Sequence, residues 1–310
     1  MRIGIDLGGT NIAAGLVNDD MKIVCKSSLP TKSERPYTEI VKDMAALVMT
    51  LVDKAGIPLS DVESVGIGCP GTPVVETGEI LYSNNLGWEN VPLLPELAKY
   101  IKQPLRLDND ANCAALGETL AGAAKGTRST ILLTLGTGVG GGIILDGKVY
   151  AGINHAGAEL GHTVIVSGGE PCTCGRRGCL EAYASATALI RMGKKAAAQH
   201  PDSLLARAYK ENGRLTGLLI FDALDKGDEA AKEVVDTYLF YLAEGITNFV
   251  NIFQPEAVIL GGGISAQGEK ILVPLRRQVA ADVFCKQVSM PKILCATLGN
   301  DAGIIGAALL

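Results

Sequence analysis

The alternation of apolar and polar positions marks an α/β chain that opens on a glycine hairpin. Residues 3–6 read as a short apolar strand, Gly8-Gly9-Thr10 as a turn and residues 12–17 as a second strand. A third strand follows near residues 22–28. Between Tyr37 and Ala55, Ile40, Val41, Met44, Leu47, Val48, Leu51 and Val52 recur at helical spacing, and Gly56 and Pro58 stop the helix. Residues 62–68 form a buried strand that runs into Pro70-Gly71. A small hairpin around Thr77-Gly78, a polar loop at 83–88, a helix at 92–101 and a strand at 105–107 come next. Asp108-Asn109-Asp110 then leads into a helix over 111–121.

At Thr130 the pattern restarts. Residues 131–135 read as a strand, 136–142 as a glycine-rich turn and 143–145 as a strand closed by Asp146-Gly147. Strand, Gly/Thr turn, strand has occurred before, which points to an internal duplication with a phosphate-sized hairpin opening each half. A cysteine-bearing segment at 159–181 precedes a mostly helical stretch at 180–253, whose longest member spans 229–253. A strand at 256–260, the turn Gly261-Gly262-Gly263, a helix at 269–281 and a strand at 292–296 complete the second half. Asn300-Asp301 reads as the cap of a closing helix that runs to Leu310.

The glycine turns carry the first chemistry. Gly136, Gly138 and Gly141 satisfy GxGxxG, but they lead into a strand and not a helix, which excludes a dinucleotide-binding Rossmann site. No GxxxxGK[ST] is present. Three glycine loops after strands, at 8–9, 136–142 and 261–263, instead supply backbone N–H groups that suit phosphate oxygens. Asp110, at a strand-to-helix junction, is the best candidate for a general base. The helix dipole there favours its ionised form by about 0.3–1 kcal/mol, and Asp108, two residues back, competes with it.

Cys172, Cys174 and Cys179 lie within eight positions, and His162, one of three histidines, precedes them by ten. Three thiolates and an imidazole make a closed tetrahedral set for structural Zn2+, with Gly175 and Gly178 supplying the tight turns. Glu159 and Glu181 flank the set without being needed by the metal. His155 and His200 read as surface or turn residues. The other five cysteines, Cys25, Cys69, Cys113, Cys285 and Cys295, read as reduced core thiols.

Composition narrows the partners. A chain of 310 residues with 47% hydrophobic content buries a large core, and this length suits two lobes. A net charge of −5 argues against nucleic acid. No apolar run long enough for a membrane span appears, and the N-terminus lacks a signal region, so a cytoplasmic protein is expected.

The assembled motifs resemble the ROK family of sugar kinases along essentially the whole chain. The carriers are IDLGGTNIAAGLV from Ile5, CPGTP from Cys69, NNLGW from Asn84, DNDANCAALGE from Asp108, LTLGTGVGGGIILDG from Leu133, GAELGH from Gly157, CTCGRRGCLE from Cys172, LGGGIS from Leu260 and GNDAGIIGAAL from Gly299. The resemblance implies a two-lobed actin/RNase H-like α/β fold with a duplicated glycine-hairpin core and a zinc knuckle, ATP and sugar meeting in the cleft. The expected lobes are residues 1–110, with the closing helix 299–310 packed back on them, and residues 111–298.

The resemblance further implies that Asp110, and not Asp108, is the catalytic base. Sugar contacts carry over to Gly71, Asn85, Asn109, Asp110, Glu159, His162 and Glu181. ATP contacts carry over to Asp6, Gly8, Gly9, Thr10, Asn11, Gly136, Thr137, Gly138, Gly140, Gly262 and Gly263, with Asp6 orienting Mg2+ or its waters. Zinc would sit on His162, Cys172, Cys174 and Cys179, and a homodimer is implied. The expected reaction is ATP-dependent phosphorylation of glucose at its 6-hydroxyl, the wording GGTN and GAELGH leaning toward glucokinases over fructokinases or N-acetylmannosamine kinases, with mannose, N-acetylmannosamine, N-acetylglucosamine, allose or fructose as the alternative substrates. The family's sugar-responsive repressors carry a helix-turn-helix segment that has no counterpart before Asp6.

Overall fold

The computed structural model describes residues Met1–Leu310 and falls into two compact units. Unit 1 comprises Met1–Leu132, Gly141–Ala158 and Ala296–Leu310, and unit 2 comprises Leu133–Gly140 and Glu159–Cys295. The strands and helices of the first stretch are β1 (Arg2–Leu7), β2 (Asn11–Val17), β3 (Ile23–Pro30), α1 (Tyr37–Ala55), β4 (Val65–Cys69), β5 (Thr72–Val74), β6 (Glu79–Ser83), β7 (Trp88–Val91), α2 (Leu93–Leu97), β8 (Leu105–Asn109) and α3 (Asp110–Leu120). Then come β9 (Thr130–Leu135), β10 (Val139–Leu145), β11 (Lys148–Val149), α4 (Glu181–Ala184), α5 (Ala186–Gln199), α6 (Leu204–Asn212), α7 (Gly217–Asp225) and α8 (Glu229–Phe253). The chain closes with β12 (Ala257–Gly261), α9 (Glu269–Asp282), β13 (Lys292–Cys295) and α10 (Ala302–Ala308).

The two large sheets share one topology. Their strand orders are β3-β2-β1-β4-β8 and β11-β10-β9-β12-β13, the same path traced twice, which bears out the duplication. In the first sheet β1 and β2 are antiparallel, whereas β1, β4 and β8 run parallel, so Gly8, Pro70 and Asp110 all leave from the same edge. Ligands of open α/β sheets bind outside those carboxyl ends.

Strand alternation decides what covers each face of this sheet. Ile3, Ile5 and Leu7 of β1 and Val65, Ile67 and Cys69 of β4 join one apolar core with Ile40, Met44, Leu47 and Leu51 of α1. The intervening positions, Gly4, Asp6, Gly66 and Gly68, face the other way, as the period of two requires. There α10 lies so close that a Cβ on Gly4 would come within 1.8 Å of the Ile304 carbonyl oxygen, and one on Gly66 within 1.8 Å of that of Ala307. Glycine is the only residue these positions admit.

Glu118 of α3 anchors the segment that leads into α10. Its side chain is fully buried, and its carboxylate accepts hydrogen bonds from the backbone N–H groups of Ala123 (2.8 Å), Thr297 (2.9 Å) and Leu298 (2.7 Å). Removing the acceptor strands three donors, each worth about 1–3 kcal/mol when buried and unpaired. Glu118→Ala should therefore lower stability by about 3 kcal/mol or more in urea denaturation, whereas a loss under about 1 kcal/mol would contradict this role.

The structure corrects several element readings. The helix expected at 92–101 is shorter, Leu93–Leu97, and continues as turns toward the buried Ile101. The strand expected at 62–68 begins at Val65, after a 3-10 turn at Leu59–Asp61. The glycine turn expected at 136–142 is three residues long: β10 already begins at Val139, so Gly140 and Gly142 are strand residues. Gly142 is there for packing, since a Cβ would meet the Ala115 Cβ at 2.6 Å. Asp301 sits at the start of α10 but makes no side-chain cap; its carboxylate accepts from Lys26 Nζ at 3.0 Å instead. Cys285 is exposed in the loop after α9, not a core thiol.

Candidate active site and metal centre

In unit 1 the parallel register aligns Asp6 with Gly68 and Gly68 with Asp108, three neighbours in one row on the α10-facing side. Asp6 lies against the first turn of α10, where a Cβ on Gly303 would come within 2.8 Å of its Oδ2. Burial, and secondarily the nearby charge of Asp110, push the Asp6 carboxyl from 3.8 to about 6. Asp108 is also held up by burial, but its Oδ1 accepts from the backbone N–H of Asn109 (2.7 Å) and from Asn112 Nδ2 (2.8 Å). It is tied into the protein.

Asp110 is different. The N-cap of α3 is Asn109, whose Oδ1 accepts from the N–H groups of Ala111 (2.8 Å) and Asn112 (3.3 Å). Asn109 Nδ2 donates to the Gly71 carbonyl at 3.0 Å, which leaves one amide hydrogen for a ligand. Asp110 follows as the first helical residue, and its Oδ1 accepts from the Ala111 N–H at 2.9 Å. Burial outweighs the backbone hydrogen bonds and raises its carboxyl above the ordinary aspartate value. The dipole argument alone pointed the other way; desolvation is the larger effect here.

The loops at the same edge close around these groups. Gly9 packs on Asn85, where a Cβ would meet the Asn85 carbonyl at 2.7 Å, and Gly71, at φ +112°, lies against the Tyr82 carbonyl. Thr31 holds the first loop by two hydrogen bonds, Oγ1 to the Gly8 carbonyl (2.6 Å) and N–H to the Thr10 carbonyl (2.9 Å). His155, read as a surface or turn residue, is at a turn with φ +55° and places Nε2 3.3 Å from Glu76 Oε1. Nothing at the level of local sequence pairs residues 79 positions apart.

Unit 2 holds the other glycine loops and the cysteine cluster. The Gly136 carbonyl accepts from Ala186 N–H (2.8 Å) and the Thr137 carbonyl from Thr187 Oγ1 (2.7 Å), so the first turn of α5 fixes the loop. Gly262, at φ +82°, packs on Leu135, whose carbonyl oxygen a Cβ would approach to 2.5 Å, and so brings the 262–263 turn against the end of β9.

His162, Cys172, Cys174 and Cys179 place one ligand atom each within 4.8 Å of one another. His162 Nδ1 is 3.5 Å from Cys172 Sγ, and Cys174 Sγ is 3.7 Å from Cys179 Sγ. Tetrahedral zinc with bonds of about 2.3 Å to sulfur sets S···S edges of about 3.8 Å, so the spacing fits that ion. Gly175 (φ +85°) and Gly178 (φ +82°) make the turns as expected. Burial pushes the Cys179 thiol up to about 12, so a cation that binds there displaces a proton. With Nδ1 toward the sulfurs, Nε2 of His162 is the nitrogen left over.

Asn112, Glu118 and Thr173 are contributors that sequence reasoning missed. Each lies inside a motif that the resemblance uses, but its partner became evident only from contacts. Asp6 yields a direct test. Its carboxyl is protonated more readily folded than unfolded, so ionising it opposes folding as pH rises from 3.8 through about 6. At about 1.4 kcal/mol per tenfold change, the penalty approaches about 3 kcal/mol at neutral pH. Asp6→Asn should therefore stabilise the chain against urea at pH 7.5 and do so progressively less toward pH 4; a destabilised variant at pH 7.5 would overturn this.

Comparison with known proteins places this geometry in context. A model of the ROK family matches residues 2–310. The glucokinase of Halalkalibacterium halodurans is 39% identical over 309 residues, covering 99% of this chain and 94% of the relative. The glucokinase of Thermotoga maritima is 39% identical over 307 residues, covering 99% and 95%. Among solved structures, a ROK family glucokinase from Streptomyces griseus in complex with glucose and AMPPNP superposes with a TM-score of 0.81 at 34% identity, covering 99% of this chain and 97% of that one. With its duplicated sheets, its carboxylates at the carboxyl edge and its Cys/His cluster, the chain belongs to the ROK family.

Proposed function

We propose that the protein transfers the γ-phosphoryl group of ATP to the 6-hydroxyl of glucose. The observation that carries the reading is Asp110, a half-buried carboxylate at the carboxyl edge of the first sheet that is engaged by local backbone N–H groups and by no other side chain. The similarity to glucokinases over nearly the full chain supports the substrate. In the reaction the sugar oxygen forms a bond to the γ-phosphorus, the bond from phosphorus to the ADP oxygen breaks, and the hydroxyl proton passes to Asp110. Such transfer depends mainly on positioning and on neutralising phosphate charge. A base raised above the usual aspartate range accepts a proton more readily at neutral pH.

On the resemblance, the proposed sugar contacts are Gly71, Asn85, Asn109, Asp110, Glu159, His162 and Glu181, and the proposed ATP contacts are Gly8, Gly9, Thr10, Asn11, Gly136, Thr137, Gly138, Gly140, Gly262 and Gly263. Asp6 suits a divalent cation: its carboxylate is buried, and the charge that opposes folding would be neutralised by Mg2+ held with ATP. Zn2+ on the Cys/His cluster would be structural, since four protein ligands leave no open position.

No helix is long and apolar enough to cross a membrane, and ATP as donor points to the cytoplasm. A homodimer is the proposed assembly, tested by light scattering. A coupled ADP-release assay over glucose, mannose, fructose, N-acetylglucosamine and N-acetylmannosamine tests the substrate. Glucose should give the highest kcat/KM; a tenfold preference for another sugar would reassign it.

A further inference from the structure

Glu181 lies between two segments to which the kinase reading gives different tasks. Its Oε2 accepts from the Val139 N–H at 3.1 Å, at the exit of the 136–138 glycine loop. Its Oε1 accepts from Thr173 Oγ1 at 2.9 Å and lies 3.5 Å from Cys172 Sγ, inside the cysteine segment. The contact is shaped to fit: a Cβ on Gly138 would come within 2.3 Å of Oε2, so only glycine lets the carboxylate dock there. On its other side the loop is tied by its carbonyls to Ala186 and Thr187. Two carbonyls drawn one way and one N–H drawn the other fix the Gly136–Val139 turn from both sides.

We infer that Thr173 and Glu181 are positioning residues that couple the folded state of the Cys172–Cys179 segment to the glycine loop, so that metal occupancy sets affinity for the nucleotide polyphosphate. The inference rests on the kinase reading for the ligand, but the coupling itself is internal to unit 2. Cys172 and Thr173 are consecutive, so a cation that orders the cysteines also fixes the hydroxyl that holds Oε1. One carboxylate with both oxygens engaged transmits that order to the loop without any larger movement. A metal that served its own segment alone would need neither the Thr173 donor nor the missing Cβ at Gly138.

Thr173 makes a clean probe because it is neither a metal ligand nor a proposed sugar contact. MgADP and glucose binding are measured by calorimetry on the zinc-loaded wild type, Thr173→Val and Thr173→Ser, with zinc content read by a chromophoric chelator. Thr173→Val should weaken MgADP about threefold to tenfold, the range for one lost hydrogen bond. It should keep its zinc and lose clearly less affinity for glucose than for MgADP, Glu181 being a proposed sugar contact as well, and Thr173→Ser should restore MgADP affinity. Unchanged MgADP affinity, or equal weakening of both ligands, overturns the coupling. A wild type that binds no MgADP overturns the kinase reading along with it.

Hydrogen–deuterium exchange supplies a readout that needs no substrate. Chelating zinc from the wild type should speed exchange in the peptide covering residues 136–140, and Thr173→Val should show faster exchange there with zinc still bound. Unaltered exchange at 136–140 in the chelated wild type would show that the loop does not sense the metal, whatever the nucleotide measurements give.

Discussion

Asp110→Asn should lower kcat by about 10²–10⁴, the usual contribution of a positioned general base, while glucose affinity stays within a few fold. Asparagine keeps the size of the side chain and its acceptor toward the Ala111 N–H, so the loss should fall on turnover and not on binding. Asp108→Asn is the matched comparison. That carboxylate already accepts from Asn109 and Asn112, and an amide oxygen can still serve both donors, so its turnover should fall far less. As the proposed base Asp110 would act in its ionised form, and burial raises its carboxyl, so the acid limb of kcat/KM should lie above the ordinary aspartate range and vanish in Asp110→Asn. A variant within about tenfold of wild-type turnover, or a greater loss in Asp108→Asn, would remove Asp110 from the role.

The largest expected effect on stability comes from a single methyl group on Gly306. A Cβ there would come within 1.6 Å of the Cys113 carbonyl oxygen, where α10 crosses α3. Gly117 meets α10 from the other side, its Cβ position 2.4 Å from the Ala302 carbonyl, while Gly4 and Gly66 hold the sheet face of the same helix. These obstacles are backbone atoms, which cannot rotate away, so the whole helix would have to move. Overpacking of a core usually costs about 1–3 kcal/mol, and a backbone clash belongs at or above the top of that range. Gly306→Ala should lose about 3 kcal/mol or more in urea, or fail to accumulate as folded protein. Gly263→Ala, at a position with open space around it, should stay within about 0.5 kcal/mol. Equal stabilities for the two variants would refute the packing account.

Much of the fold was legible along the chain because the relevant forces act locally. The bounds of α1 and α8 follow from apolar spacing, ended by Gly56 in the left-handed conformation and opened by Asp228, whose side chain accepts from the Ala231 N–H at 2.8 Å. The cysteine cluster was legible for the same reason: its three sulfurs lie within eight positions, and the glycines between them have only to turn. The doubled strand–turn–strand pattern foretold the repeated sheet order. Where local signals conflicted with packing, the reading failed. At 136–142 glycine suggested a long turn, but Gly142 is in a strand because α3 approaches it, and Asp301 turned from a cap to Lys26, 275 residues away in the chain.

By itself the sequence determined the α/β class, the duplication, the Cys/His cluster and the glycine turns, since each depends on neighbours a few residues apart. Only the tertiary structure showed that Asp108 is held by the Asn112 side chain while Asp110 Oδ1 takes a local backbone N–H, a difference that supports the proposed base. It alone revealed Glu118 under α10, the four glycines that admit that helix, and Glu181 between loop and cysteines. Burial and distant hydrogen-bond partners decide these roles, and neither has a period that can be read along a chain.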